Sequence, residues 1–180
     1  MSTISIGTMP DYRAYTRLGI VDSITSESQG RPGERTFRLL IHAGSASASL
    51  WLEKEQLQQL AVYIQDAATD STSKDPGETD SPEETWKGEA TDIEFKVGSL
   101  ALGHDSASNS FLFLAHETEA DPSGPADISF WVLFDMAQDL SKKSLEICAA
   151  GRPNCLLCGR PMDPDGHMCV RSNGHQSFKT

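Results

Sequence analysis

Two stretches of this chain repeat one pattern, and that pattern restricts the available folds more than any other feature. Ser49–Leu52 reads Ser-Leu-Trp-Leu and Ser129–Val132 reads Ser-Phe-Trp-Val, so Trp51 falls on Trp131. At the same offset Leu57, Leu60 and Ile64 fall on Ala137, Leu140 and Ser144. Once loop lengths are allowed for, Phe37 falls on Phe111 and Val21 on Val97. In the first stretch "GIVDSI", "RTFRLLIHA" and "SASLWLE" read as strands. The helix "KEQLQQLAVYIQDAA" follows, with Leu57, Leu60, Ala61 and Ile64 recurring at i, i+3, i+4 and i+7. In the second, "FKVGSLAL", "NSFLFLAHE" and "DISFWVLF" precede a helix whose apolar face is Ala137, Leu140, Ile147 and Cys148.

The expected fold class is α+β, built from two β-β-β-α repeats, each an antiparallel meander backed by a helix. A three-stranded sheet under one helix is a thin core, so the repeats are expected to pack as a pseudo-twofold pair. "RPGER" (Arg31 to Arg35) supplies a type II turn, with Pro presetting φ and Gly accepting φ above zero. The repeats occupy residues 1–68 and 91–151, and residues 152–180 form a separate tail.

Residues 69–90 separate the repeats. From Thr69 to Ala90 the chain is rich in Asp, Glu, Ser and Thr, and Trp86 is its one large apolar residue. Such a segment buries too little surface to offset its ordering entropy, so an acidic flexible linker is expected. The formal net charge of −11 is concentrated there: Asp66 to Glu94 carries ten acids against two lysines. Acidity of this kind argues against a general nucleic-acid binder, which needs clustered Lys and Arg. No secretory h-region and no run of 18 apolar residues occur, so the reading is cytoplasmic, with no membrane partner.

The tail carries the chemistry. Cys155-x2-Cys158-x8-His167-x-Cys169 offers three thiols and an imidazole. These are the usual ligands of zinc, and four of them close a tetrahedron. Gly159 lets the backbone turn under the sulfurs, and the Pro- and Gly-rich "GRPMDPDG" brings the second pair back to the first. The expectation is one structural Zn2+ in a small C-terminal zinc knuckle, with metal ligands Cys155, Cys158, His167 and Cys169. A redox pair would need Cys-x-x-Cys where a strand runs into a helix, and no such pattern is present. His175 is second choice to His167, and Cys148 reads as a small core residue.

Beyond the tail no catalytic constellation emerges. Gly-x-Ser-x-Gly, a phosphate loop and a dinucleotide fingerprint are all missing. His104 precedes Asp105, which would suit a polarised base, but it lies in a Gly/Asp/Ser turn; His42 and His116 each end the middle strand of their repeat, where solvation explains them. The protein is read as no enzyme, and its leading function as a protein–protein interaction adaptor with an unknown partner. The alternative is a single-stranded nucleic-acid binder using Trp51, Trp131, Phe37 and Phe111 as stacking platforms. Arg35, Arg38 and Lys96, with Arg152, Arg160 and Arg171 of the tail, would then supply its charge. A second alternative is a zinc-dependent hydrolase, which requires three protein ligands and an open position. Oligomeric state is not legible.

The tail "AAGRPNCLLCGRPMDPDGHMCVRSNG" resembles the C-terminus of an uncharacterised bacterial family, common in actinobacteria and catalogued as domain of unknown function 3090. "RPGERTF", "LEKEQLQQLA" and "EFKVGSLALG" are similar to further segments of that family. The N-terminus here is longer, "DSITSES" replaces a short Gly-Thr-Val-Gly connection, and His175 stands where an aromatic is common. The resemblance implies no activity.

Overall fold

The computed structural model describes residues 3–6, 13–31, 33–69, 82–150 and 155–158. Within them the strands are β1 (Thr3–Ile6), β2 (Ala14–Ile20), β3 (Ser23–Gln29), β4 (Thr36–Ala43), β5 (Ala46–Leu52), β6 (Thr91–Asp105), β7 (Ser110–Glu117) and β8 (Ala126–Leu133). The helices are α1 (Lys54–Thr69) and α2 (Phe134–Ala149). The α+β class is as expected, but the strands form one mixed sheet rather than two separate meanders. Its order is β2-β8-β7-β6-β5-β4-β3, with β1 added beside β6.

Two long strands make the sheet continuous. The first half of β6 lies parallel to β5, from Ala46↔Thr91 to Trp51↔Lys96. Its second half lies antiparallel to β7, with Leu100 facing Ala115 and Leu102 facing Phe113. A register shift at Gly98 marks the change of partner, where an added Cβ would lie 2.7 Å from Thr118 Cα. β2 and β3 behave alike across Val21 and Asp22. β2 is parallel to β8, and β3 is antiparallel to β4. At the handover Val21 N–H donates to Trp131 O (3.0 Å) and Asp22 N–H to His42 O (2.8 Å). The parallel β5–β6 pair requires a crossover, which α1 and the chain after it supply.

Alternation of side chains sets the layers. Phe111, Phe113 and Ala115 of β7 face the helices, with Leu39, Ile41, Leu50, Leu57, Leu60, Ile64, Leu100, Phe130 and Leu140 in the same buried cluster. Phe113 and Phe130 stack at 4.9 Å, and Tyr63 meets Phe111 edge-on at 6.5 Å. On the opposite face of the same strands Ala101, Leu112, Leu114, Ala126 and Trp131 make a smaller buried cluster. The α2 face differs from the expected one. Ala137, Leu140 and Cys148 are buried, but Ile147 is only partly so, while Ser141 and Ser144 are fully buried. Ser141 donates to Ala61 O of α1 (2.7 Å), and Ser144 pairs with Ser26 Oγ of β3 (2.9 Å). Small hydroxyls let α2 approach both neighbours closely while each polar group keeps a partner.

The expected turn at Arg31–Glu34 is present: Arg31 O accepts from Glu34 N–H and Gly33 has φ 95°. In the stretch expected to be a linker, residues 70–81 lie outside the described residues. Residues 82–90 form a strap along β2 and the β4–β5 turn. Ile20 N–H donates to Glu83 O (3.0 Å), Trp86 N–H to Leu18 O (2.9 Å), and Ser45 Oγ–H to Gly88 O (2.8 Å). Arg17 pairs with Glu83, and Trp86 packs on the main core.

Gly19 makes this approach feasible. Its φ is 67°, and a Cβ would sit 1.9 Å from Glu84 O. Gly19→Ala is expected to cost roughly 1–3 kcal/mol through backbone strain and loss of the strap contact. The urea midpoint measures it, and an unchanged midpoint would mean that the strap does not hold this position.

Candidate functional site

The tail contributes Cys155 to Cys158 to the described residues. Leu156, Leu157 and Cys158 form a turn, as the Cys-x2-Cys spacing requires. Cys155 is buried and Cys158 half-buried, and neither forms a disulfide. The two leucines between them point the other way: Leu156 is fully exposed (101 %) and Leu157 is 55 % exposed. The expected ligands His167 and Cys169, the alternative His175, and the tail arginines Arg152, Arg160 and Arg171 lie outside the described residues. Two cysteines outside any disulfide, set across a tight turn, fit the soft half of a zinc site. No group of three or more His, Cys, Asp or Glu side chains with metal-binding potential occurs among the described residues. Cys148 is buried on α2, 3.9 Å from Lys54 O, and burial pushes its thiol pKa up, so it serves as a packing residue.

A second feature is the open face of β3–β4–β5–β6, on the side away from the helices. The register places Glu27, Arg38, Trp51 and Lys96 in one line across the four strands. Arg38 donates twice to Glu27 Oε2 (3.2 and 3.0 Å) and lies 5.2 Å from the centre of the Trp51 ring. The indole N–H of Trp51 donates to Glu94 Oε1 (2.8 Å), and Lys96 pairs with Glu53 (2.7 Å). Beside this line Ser47 donates to Asp92 Oδ1 (2.8 Å). Glu27, Glu53, Asp92 and Glu94 thus outnumber Arg38 and Lys96. Arg35, the remaining base expected on the strands, donates to Ala150 O at the end of α2 (2.9 Å).

Of the proposed stacking aromatics, Phe37 and Phe111 are buried in the main core and Trp131 in the smaller cluster. Trp51 alone of the four is half-buried on an open face. Hydrophobic pattern marks an aromatic as strand-borne, but which face it takes depends on register. That is why the Glu27–Arg38–Trp51–Lys96 line was missed.

Among the described residues, His42, His104 and His116 do not assemble into a catalytic pair. His104 and Asp105 are successive strand residues and point to opposite faces. His104 stacks on Phe111 (4.7 Å), with Nε2 3.4 Å from Asn109 Oδ1. Asp105 accepts bonds from the Ser108 hydroxyl, Ser108 N–H (3.1 Å) and Ala107 N–H (3.2 Å). Burial alone would raise its pKa; the bonds from Ser108 and Ala107 outweigh burial and hold the carboxyl below its ordinary range. It is an ionised turn-former. His42 is exposed, as a solvated strand end should be. His116 is not: it is 8 % exposed, with Nε2 3.2 Å from Gly124 O. The cause is that β7 is covered on both faces whereas β4 is covered on one.

A family model described as a protein of unknown function (DUF3090) matches residues 17–169. No curated protein and no solved structure matches the chain. Among the described residues no helix is long and apolar enough to cross a membrane.

Proposed function

Given that the chain belongs to the DUF3090 family of proteins of unknown function, we propose its role from its own residues: a non-enzymatic adaptor whose zinc-stabilised tail docks a protein partner. The observation that carries this reading is the exposed pair Leu156 and Leu157, held between Cys155 and Cys158. Leu156 is fully exposed and Leu157 about half exposed, so two adjacent large apolar side chains form a small surface that a partner can cover, and a metal-closed turn would present them rigidly. One zinc on Cys155, Cys158, His167 and Cys169 would supply that rigidity; four ligands leave no open position for hydrolysis. The open sheet face speaks against nucleic acid. Its acids exceed its bases, Arg38 is bound to Glu27, and the Trp51 indole N–H is bound to Glu94. A phosphate backbone needs unopposed cations beside exposed aromatics.

The internal-repeat reading belongs with this proposal. It is supported by ladder positions: Phe37 faces Leu52 and Phe111 faces Val132. Likewise His42 faces Ser23 and His116 faces Ser99, while Trp51 faces Lys96 and Trp131 faces Ile20. Under this reading the paired repeats are the platform and the tail is the contact.

Photo-crosslinking from position 156 of the full chain in its native cell tests the adaptor. The expected result is a discrete protein adduct, which disappears when Leu157→Ser is added while zinc content is unchanged. Adducts to nucleic acid, with saturable binding of single-stranded DNA that falls steeply with salt, would overturn the reading.

A further inference from the structure

We propose that the edge of β6 from Ser99 to Leu102 is a strand-accepting site, filled in this chain by its own β1 and open to exchange with an extended segment of a partner protein. β5 covers this edge only as far as the Trp51↔Lys96 pair. Beyond it β1 adds in parallel through four positions, from Thr3↔Ser99 to Ile6↔Leu102. The accepting residues Ser99, Leu100, Ala101 and Leu102 include none of the lysines, prolines or charges that protect a bare edge.

Three observations make β1 a replaceable occupant. The ladder is short and parallel, the weaker kind of pairing. β1 also lies outside the stretch matched by the family model, residues 17–169, whereas the accepting edge lies inside it. The matched stretch therefore contains the edge but not this strand. Finally, β3, one of the two strands that end the sheet, is guarded differently. Along β3, Lys143 of α2 donates to Thr25 Oγ1 (2.8 Å) and Ser144 pairs with Ser26. A helix laid against an edge strand is a recognised way of blocking strand addition, and the β6 edge has β1 in its place.

The surroundings define the partner. Leu100 and Leu102 are buried in the main core, on the helix side. Ala101 is buried in the cluster on the other side, with Leu112 and Leu114. An incoming strand is thus flanked by apolar surface on both faces of the sheet. Short, uncharged residues suit it, of the hydroxyl and β-branched kind that Thr3-Ile4-Ser5-Ile6 provides. The occupant we assign is a parallel partner segment of that composition. This surface does not depend on Leu156, Leu157 or zinc, so it stands or falls apart from the adaptor reading of the tail.

The test uses the full chain and a labelled peptide of residues 2–7, Ser-Thr-Ile-Ser-Ile-Gly. Successive backbone N–H groups point to opposite sides of a strand, so Ile4→Pro with Ser5→Pro removes whichever donor faces β6. The doubly substituted chain should bind the peptide saturably by fluorescence anisotropy. The unsubstituted chain should bind it at least about tenfold more weakly, because its tethered β1 competes at high effective concentration. Amide exchange at Ser99–Leu102 should quicken in the substituted chain and slow again when peptide is added. A folded substituted chain that does not bind, or equal binding by both chains, would overturn the proposal. So would binding of a peptide that itself carries both prolines. If the substituted chain instead pairs with itself, and the peptide leaves the dimer intact, the occupant is a second copy and the partner assignment fails.

Discussion

Protein purified without chelators is expected to carry about one zinc per chain, and the Cys158→Ser and Cys155→Ser proteins to carry none, since structural zinc in small modules is held by about 10–16 kcal/mol at neutral pH. His167→Ala should also lose the metal, whereas His175→Ala should keep it. Loss should act through folding of the tail alone. The sheet and helices hold their own core, so far-ultraviolet circular dichroism of the main body should survive. Elemental analysis with thiol titration decides it. A metal-free protein in which Cys155 and Cys158 cycle readily between thiol and disulfide would make the motif a redox pair. X-ray absorption adds a sharper criterion. Three protein ligands and one water would turn the site into a hydrolase centre and remove the argument against catalysis.

Leu60→Ala and Leu140→Ala are each expected to lower the unfolding free energy by about 2–5 kcal/mol. Leu60 is fully buried on α1 and Leu140 is 2 % exposed on α2, both in the main core. Close packing there leaves little room for collapse around the lost atoms: Phe111, Phe113 and Phe130 fill the sheet side and Ser141 ties α2 to α1. Against a typical total of roughly 5–15 kcal/mol, one such change can unfold a marginal domain. Chemical denaturation of each variant measures the loss. If the repeat reading holds, the two costs should be similar. A cost below about 1 kcal/mol for one leucine alone would mean that its site is not the counterpart of the other.

Local chemistry was the legible part of this fold. The α1 periodicity, the strands of β4, β5, β7 and β8, and the turn at Gly33 depend on near neighbours, and the residue pattern carries them. What escaped depends on pairs far apart in the chain. β1 and β2 have weak patterns of their own and exist as strands because β6 and β8 offer edges. Trp86 reads as a stray apolar residue in an acidic stretch, yet it packs on the core beside Leu18. Ser141 and Ser144 look solvated until Ala61 O and Ser26 Oγ are seen to satisfy them. In the site the cysteine spacing was plain. The outward turn of Leu156 and Leu157 was not, because a spacing rule fixes where the sulfurs go and says nothing of the residues between them.

The handover at Val21 and Asp22 has a bearing on how the chain matures at the ribosome. β3, β4 and β5 are close neighbours in sequence and can pair as soon as they emerge. The partner of β2 is β8, more than a hundred residues later (Ala14 pairs with Ala126). Contacts of such separation form slowly, because the loop must close before any pairing rewards it. Until β8 is made, the first half holds one end of a bent strand with nothing beside it. β5 likewise waits for β6 across the acidic stretch. The halves therefore cannot be finished one after the other in the manner of tandem domains. Each holds an open edge for the other, and β8, the last strand among the described residues, pairs with β2.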